Sequence, residues 1–264
     1  MLRFFAVILL YIFSFPSTND TDTSTLRMEN DVSFKAQKSD LAAHNIQMFV
    51  GLLNKDLKSI DQKQPAGFNF EKDALPIDIF NYWNDKGDES YYVLLTKVIY
   101  VIDKDISFFD ENLLSNEQML KDKMPDYRLE KTGVNQFHMD CGFMAPSFDY
   151  KLSFHQPPFK EDKIAKMQKA LQRLNPELGE PEFTVLQHNY DYGRVMMHKT
   201  SKMSVCVVNY YPFGEGQTLE VNYTLNYIHE LPPGLLGGHK LLIKEIKEGI
   251  VSLIYNTRSV FTTL

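Results

Sequence analysis

The stretch from Met203 to Arg258 constrains the fold more than any other part of the chain. Met203 to Tyr211 and Thr218 to Ile228 are rich in aromatic and β-branched residues and meet across Gly214-Glu215-Gly216, the pattern of a β-hairpin. In the second run Leu219, Val221, Tyr223, Leu225 and Tyr227 alternate with Glu220, Asn222, Thr224 and Asn226, the period of a strand with one apolar face. Pro232-Pro233-Gly234 interrupts the strand pattern, and an amphipathic run follows. There Leu242, Ile246, Ile250, Leu253 and Ile254 share one helical face, while Lys240, Lys244, Lys247 and Glu248 occupy the other. A helix with that much apolar surface must lie against something, and the strands before it supply a matching face. The spacing predicts an antiparallel sheet closed by a long C-terminal helix, an arrangement able to enclose an apolar cavity. Gly249 inside the helix costs about 1 kcal/mol relative to Ala, and marks a close approach to the sheet.

Upstream, the pattern predicts more of the same sheet. Tyr91 to Ile102 is a β-rich run suited to a strand covered on both faces. Asp103 to Leu114 reads as a first short helix, and Ser115 with Gln118 as the capping box of a second. Asp126 to Lys131 and Val134 to Phe143 read as strands, with Gly133 between them. Phe148, Tyr150, Leu152 and Phe154 alternate with Asp149, Lys151, Ser153 and His155, a half-buried strand facing a core or cavity. Residues 160–174 carry the stripe Ile164, Met167, Leu171 and Leu174 among five basic side chains, a helix ended by Asn175-Pro176. Phe183 to Tyr190 and Arg194 to Lys199 read as a hairpin around Asp191-Tyr192-Gly193. Before the sheet, residues 31–90 form a helical extension: one helix over 32–62, and a short one from Pro76 with Ile77, Phe80 and Trp83 on one side. The main α+β domain is expected over 91–264.

The N-terminus bears on compartment. Arg3 precedes an apolar run from Phe4 to Phe15, ended by Pro16-Ser17-Thr18. The run falls short of the ~20 residues that span a bilayer and matches the apolar core of a secretory signal peptide over 1–18. The polar stretch 19–30 reads as a linker. The expectation is an exported protein, secreted or periplasmic. In such a compartment Cys141 and Cys206 could form one disulfide; buried free thiols are the alternative.

No catalytic motif stands out. The net charge of −6 argues against nucleic acid as a partner, because phosphate binding needs a concentrated basic surface. The seven histidines show no metal-ligand spacing, and no Walker loop, GxGxxG or GxSxG is present. No cofactor or metal is expected. His138-Met139-Asp140-Cys141 does not make a local nucleophile and base, since on a strand Cys141 points away from His138. The basic face of 160–174 suits water, or peripheral contact with an anionic membrane.

The order from Tyr91, a strand, two short helices, a run of antiparallel strands and a long C-terminal helix, resembles the helix-grip fold of the START-like superfamily, which includes lipid-transfer domains and polyketide cyclases. The closest match is the ending: V-C-V-V-N-Y-Y-P-F-G-E-G-Q-T-L-E-V-N-Y-T-L-N-Y-I, then L-P-P-G-L-L, then the helix. The helix at 160–174 departs from the family pattern. The resemblance implies a cavity between sheet and last helix, lined by Phe137, Met139, Tyr150, Leu152, Tyr223, Leu225, Ile246 and Ile250. Packing a filled core is the bland role of the same residues. The expected function is non-catalytic binding of a lipid or apolar small molecule. A structural or interaction protein without ligand, and a cyclase-like or hydrolytic enzyme, are the alternatives.

Overall fold

The computed structural model describes residues 77–86, 89–141, 147–173, 176–190, 201–228 and 238–264, with side chains from Leu94 onward apart from 201–203, 227–228, 238–242 and 245. Eight strands form one antiparallel sheet: β1 (Ile77–Lys86), β2 (Glu89–Ile102), β3 (Arg128–Gly133), β4 (Gln136–Asp140), β5 (Phe148–His155), β6 (Phe183–Tyr190), β7 (Ser201–Phe213) and β8 (Gln217–Ile228). Their spatial order is β1-β2-β8-β7-β6-β5-β4-β3. From β3 to β8 each strand lies beside its predecessor. The N-terminal hairpin then closes the other side, with β2 running along β8 from Tyr92↔Ile228 to Ile102↔Thr218. Gly214 and Gly216, both at positive φ, form the β7–β8 turn, a conformation that glycine adopts without strain.

Four α-helices accompany the sheet among the described residues: α1 (Glu111–Leu114), α2 (Glu117–Lys123), α3 (Asp162–Gln172) and α4 (Gly238–Thr263). This is a helix-grip architecture: an antiparallel sheet, two short helices after its second strand, and a long C-terminal helix across one face.

The sheet is covered on both sides, and the alternation of each strand divides its residues between two cores. On one side Ile164, Met167, Ala170 and Leu171 of α3 pack against Leu95, Ile99, Leu186, Val205, Val207, Leu219, Val221, Tyr223 and Leu225. A buried polar knot ties α3 down there: Gln168 Nε2 donates to Thr184 Oγ1 at 3.0 Å and to Asn209 Oδ1 at 2.9 Å. On the other side Ile254 and Phe261 of α4 pack with Tyr100, Ile102, Phe109, Phe137, Tyr150, Phe183 and Tyr210. Phe261 meets Phe109 edge-on at 5.0 Å, and Phe109 stacks on Tyr210 at 5.3 Å. The helix between β5 and β6, out of place in the family pattern, is thus the second layer of the domain.

Three sequence expectations are corrected. The stretch from Ile77 is strand β1, paired from Ile77↔Val98 to Lys86↔Glu89, so the sheet begins before residue 91. The helical period there rested on three residues, whereas Ile77, Ile79, Phe80, Tyr82 and Trp83 are the β-branched and aromatic types that strands favour. Asp103 to Leu114 is divided rather than continuous. Asp105 accepts from Ser107 N–H at 2.9 Å and Asp110 from Leu113 N–H at 2.8 Å, so each begins a short turn of its own. The cap of α2 is Asn116, whose Oδ1 accepts from Met119 N–H at 3.0 Å, one residue beyond Ser115. The expected helix over 32–62, the signal and linker segments, and Arg194 to Lys199 with its turn lie outside the described residues.

Candidate functional site in the space between sheet and last helix

Between α4 and the sheet lies a cavity of about 250 Å³. Its roof is the underside of α4: Ile246, Gly249, Ile250, Leu253 and Thr257. Gly249 is buried there, and its missing side chain keeps the space beneath the helix open. Leu114 of α1, Leu120 and Lys123 of α2, and Met124 and Tyr127 after it form one wall. Met139, Cys141, Phe148 and Leu152 form another.

The floor is polar. The side chains of β8 that face α4 are Glu220, Asn222, Thr224 and Asn226. Antiparallel pairing aligns them with polar neighbours. Thr224 stands between Thr96 of β2 and Cys206 of β7, and Gln187 of β6 follows Cys206. Asn226 is opposite Ser204, which is opposite Asn189. Glu220 stands between Tyr100 and Tyr210. Some of these groups satisfy one another: Cys206 Sγ donates to Asn222 Oδ1 at 3.2 Å and Thr224 Oγ1 to Asn222 Oδ1 at 3.0 Å. Others do not. Thr96 Oγ1, Ser204 Oγ, Glu220 Oε2 and Asn226 Oδ1 are buried without a hydrogen-bond partner. Such groups carry a desolvation cost of about 1–3 kcal/mol each, and four of them make the cavity floor under-satisfied.

Glu220 is the most consequential of them. It is 4% exposed. Burial raises its carboxyl above the ordinary 4.5, while Lys123 and hydrogen bonds from Tyr100 and Tyr210 pull the other way. Burial in turn lifts both phenols well above 10, and the Glu220 carboxylate adds to that. Lys123 is half-buried as a residue, yet its amine lies 4.6 Å over the Phe261 ring. Enclosure pulls that amine below its ordinary 10.5, with Glu220 opposing. The helix is pinned at this end of the cavity: Arg258 Nε donates to Val101 O at 3.0 Å, and Asn256 Nδ2 to Lys123 O at 3.2 Å.

The residues expected to line a cavity are placed unevenly. Met139, Leu152, Ile246 and Ile250 line it. Phe137 and Tyr150 belong to the core on the same side, stacked on each other at 5.1 Å. Tyr223 and Leu225 face α3 on the opposite side of the sheet. Alternation correctly divides β8 into two faces; it does not say which face looks at α4. The polar face of β8 reads as solvated only if the sheet has one cover, and the apolar stripe of α3 was the available signal that it has two. Cys141 and Cys206, the possible disulfide, are both free thiols. Cys141 follows β4 and Cys206 lies on β7, with β5 and β6 between. Three strand spacings of ~4.8 Å put them roughly 14 Å apart, beyond the reach of about 7 Å. Burial pushes Cys141 up to about 12 and Cys206 to about 11, so both are protonated near neutrality and poor nucleophiles. His138 Nδ1 pairs with Asp149 Oδ1 at 2.7 Å instead of with its sequence neighbours.

Among solved structures the chain is similar to a START superfamily protein from Mycobacterium smegmatis, at 9% identity over 64% of this chain and 99% of that one, TM-score 0.40. It is similar to a Thermus thermophilus protein at 14% identity over 64% and 97%, TM-score 0.41. It is also similar to norcoclaurine synthase from Thalictrum flavum, solved with dopamine and hydroxybenzaldehyde, at 9% identity over 76% and 92%, TM-score 0.37. No family model matches the chain, and no curated protein matches its sequence.

Proposed function

We propose that this is an exported binding protein that holds a small amphipathic molecule between α4 and the sheet. The carrying observation is the cavity with an apolar roof and an under-satisfied polar floor. A purely apolar guest would leave the floor's orphaned groups unpaired. A guest with an apolar body and hydrogen-bonding groups answers both surfaces. The volume of about 250 Å³ lies just under the ~300–1,000 Å³ of pockets that hold drug-sized ligands, so the guest is small or slender. Export rests on the segment from Arg3 to Thr18, and non-catalytic binding on the absence of a nucleophile motif in the sequence.

Native mass spectrometry of the protein purified from its own source tests the binding reading. A co-purifying molecule lost on denaturation is the expected result; a bare protein that also takes up no added amphipath sinks it. Sequencing the N-terminus of the same material tests export, and recovery of intact Met1 on an intracellular protein refutes it.

A second reading rests on Glu220 and Lys123. A carboxyl whose pKa burial raises and an amine whose pKa burial lowers, at one end of the cavity, are groups able to exchange protons with a guest. A bound molecule recovered chemically altered would favour this acid–base role.

A further inference from the structure

The cavity carries more information about its guest than polarity alone. Its floor runs from Glu220 to Asn226, six residues along β8, or roughly 20 Å at ~3.4 Å per residue. Its roof runs from Ile246 to Thr257, eleven residues of α4, or about 16 Å at 1.5 Å per residue. A volume of about 250 Å³ drawn out over such a length is a slot rather than a bowl.

The slot has chemically distinct ends. Ser204 and Asn226 lie at one, with Thr96 one pair inward beside Thr224, all neutral and bearing unpartnered oxygens. Glu220 lies at the other. Glu220 is a lining residue whose buried Oε2 has no partner, and in its ionised form a carboxylate oxygen only accepts. Tyr100 and Tyr210 flank the carboxylate from the two neighbouring strands. Among the described lining residues, the ionic side chains are Glu220 and Lys123, of opposite sign. A guest carboxylate would bury a second anion beside Glu220. A guest ammonium would bury a second cation beside Lys123. Either leaves a net charge in a poorly solvated space, which is costly. A neutral donor meets Glu220 Oε2 and disturbs no charge balance.

Resting on the binding reading above, we infer that the guest is a slender, uncharged amphipath that donates a hydroxyl hydrogen bond to Glu220, its chain lying under Ile246, Ile250 and Leu253. The structure thus selects neutral hydroxyl-bearing lipids or related alcohols over fatty acids and amines.

The test uses four probes of one chain length on the full chain: dodecan-1-ol, its methyl ether, dodecanoate and dodecylammonium. Binding is followed by competition with a fluorescent apolar dye at pH 7. The alcohol should bind tightest, exceeding the ether by at least ~10-fold, the worth of a hydrogen bond to a charged acceptor. Glu220→Met, which removes the acceptor, should bring alcohol and ether within about threefold of each other. Glu220→Gln, which keeps an acceptor and removes the charge, should keep part of the alcohol preference and relieve the rejection of dodecanoate. Thermal midpoints of both variants show whether the fold is intact, and Gln, close to Glu in shape, keeps the test usable if Met unfolds the protein. If all four probes bind alike, if the ether equals the alcohol, or if either charged probe binds tightest, the inference falls while the binding reading stands. If no probe binds, both fall.

Discussion

At the scale of single residues, the buried ionisable groups set the protein's response to pH. Burial, with Lys151 and His155 adding to it, holds His188 down to about 4 from its ordinary 6.5. The folded protein therefore keeps this ring neutral where the unfolded chain accepts a proton. Above pH 6.5 both states are neutral at this site and it contributes no pH dependence. As the pH falls from 6.5 toward 4 the unfolded state binds more protons and stability declines, by on the order of 3 kcal/mol at most. Urea midpoints between pH 4 and 7 should show this slope, and His188→Gln should flatten it; an unchanged slope would assign the effect elsewhere. Ile246 is a simpler case. It is 6% exposed under α4 and beside the cavity. Ile246→Ala should cost roughly 2–5 kcal/mol, the range for deleting a buried aliphatic chain, read as a drop in the denaturation midpoint. A cost below 1 kcal/mol would mean that the helix does not depend on this contact.

At the scale of elements, α4 trades stability against space. Gly249 faces the cavity from within the helix. Gly249→Ala should raise helix stability by up to about 1 kcal/mol while placing a methyl group in the slot, so melting temperature and ligand affinity should move in opposite directions. Ile250→Trp should go further, blocking dye uptake in a protein that still melts cooperatively. If Ile250→Trp binds dye as the parent does, the cavity is not where the dye goes. Elements with a complete pattern were legible in the sequence: β5 and β6 match their expected bounds, the β7–β8 hairpin turns at its glycines, and α3 buries Ile164, Met167 and Leu171 of its predicted stripe, Leu174 lying outside the described residues. β1 was not legible, because Ile77, Phe80 and Trp83 satisfy a helical spacing while the choice of strand is made by β2, whose fourteen residues pair along all ten of β1. Nor was the cavity floor. Glu220, Asn222, Thr224 and Asn226 look in sequence like any solvent-facing half of a strand, and only the placement of two helices on opposite faces turns them inward.

At the scale of the molecule, the two cores are joined by one sheet and are not equivalent. The α3 side is packed with aliphatic side chains, Met167, Tyr211 and Tyr223; the α4 side combines an aromatic core with the cavity. Loss of packing on the first should be felt globally, whereas the second has room to accommodate change. The sheet's assembly also has an order imposed by its connectivity. Strand β2 finds its second neighbour in β8, and more than a hundred residues of chain separate the two. During synthesis the N-terminal hairpin therefore waits with one long apolar edge unsatisfied until the last strand is made. Such an edge invites pairing with other chains, so a product ended before Gln217 keeps the hazard for good. The final fifty residues are then more than the closing piece of a container: they turn the opening hairpin from a sticky fragment into part of a sheet.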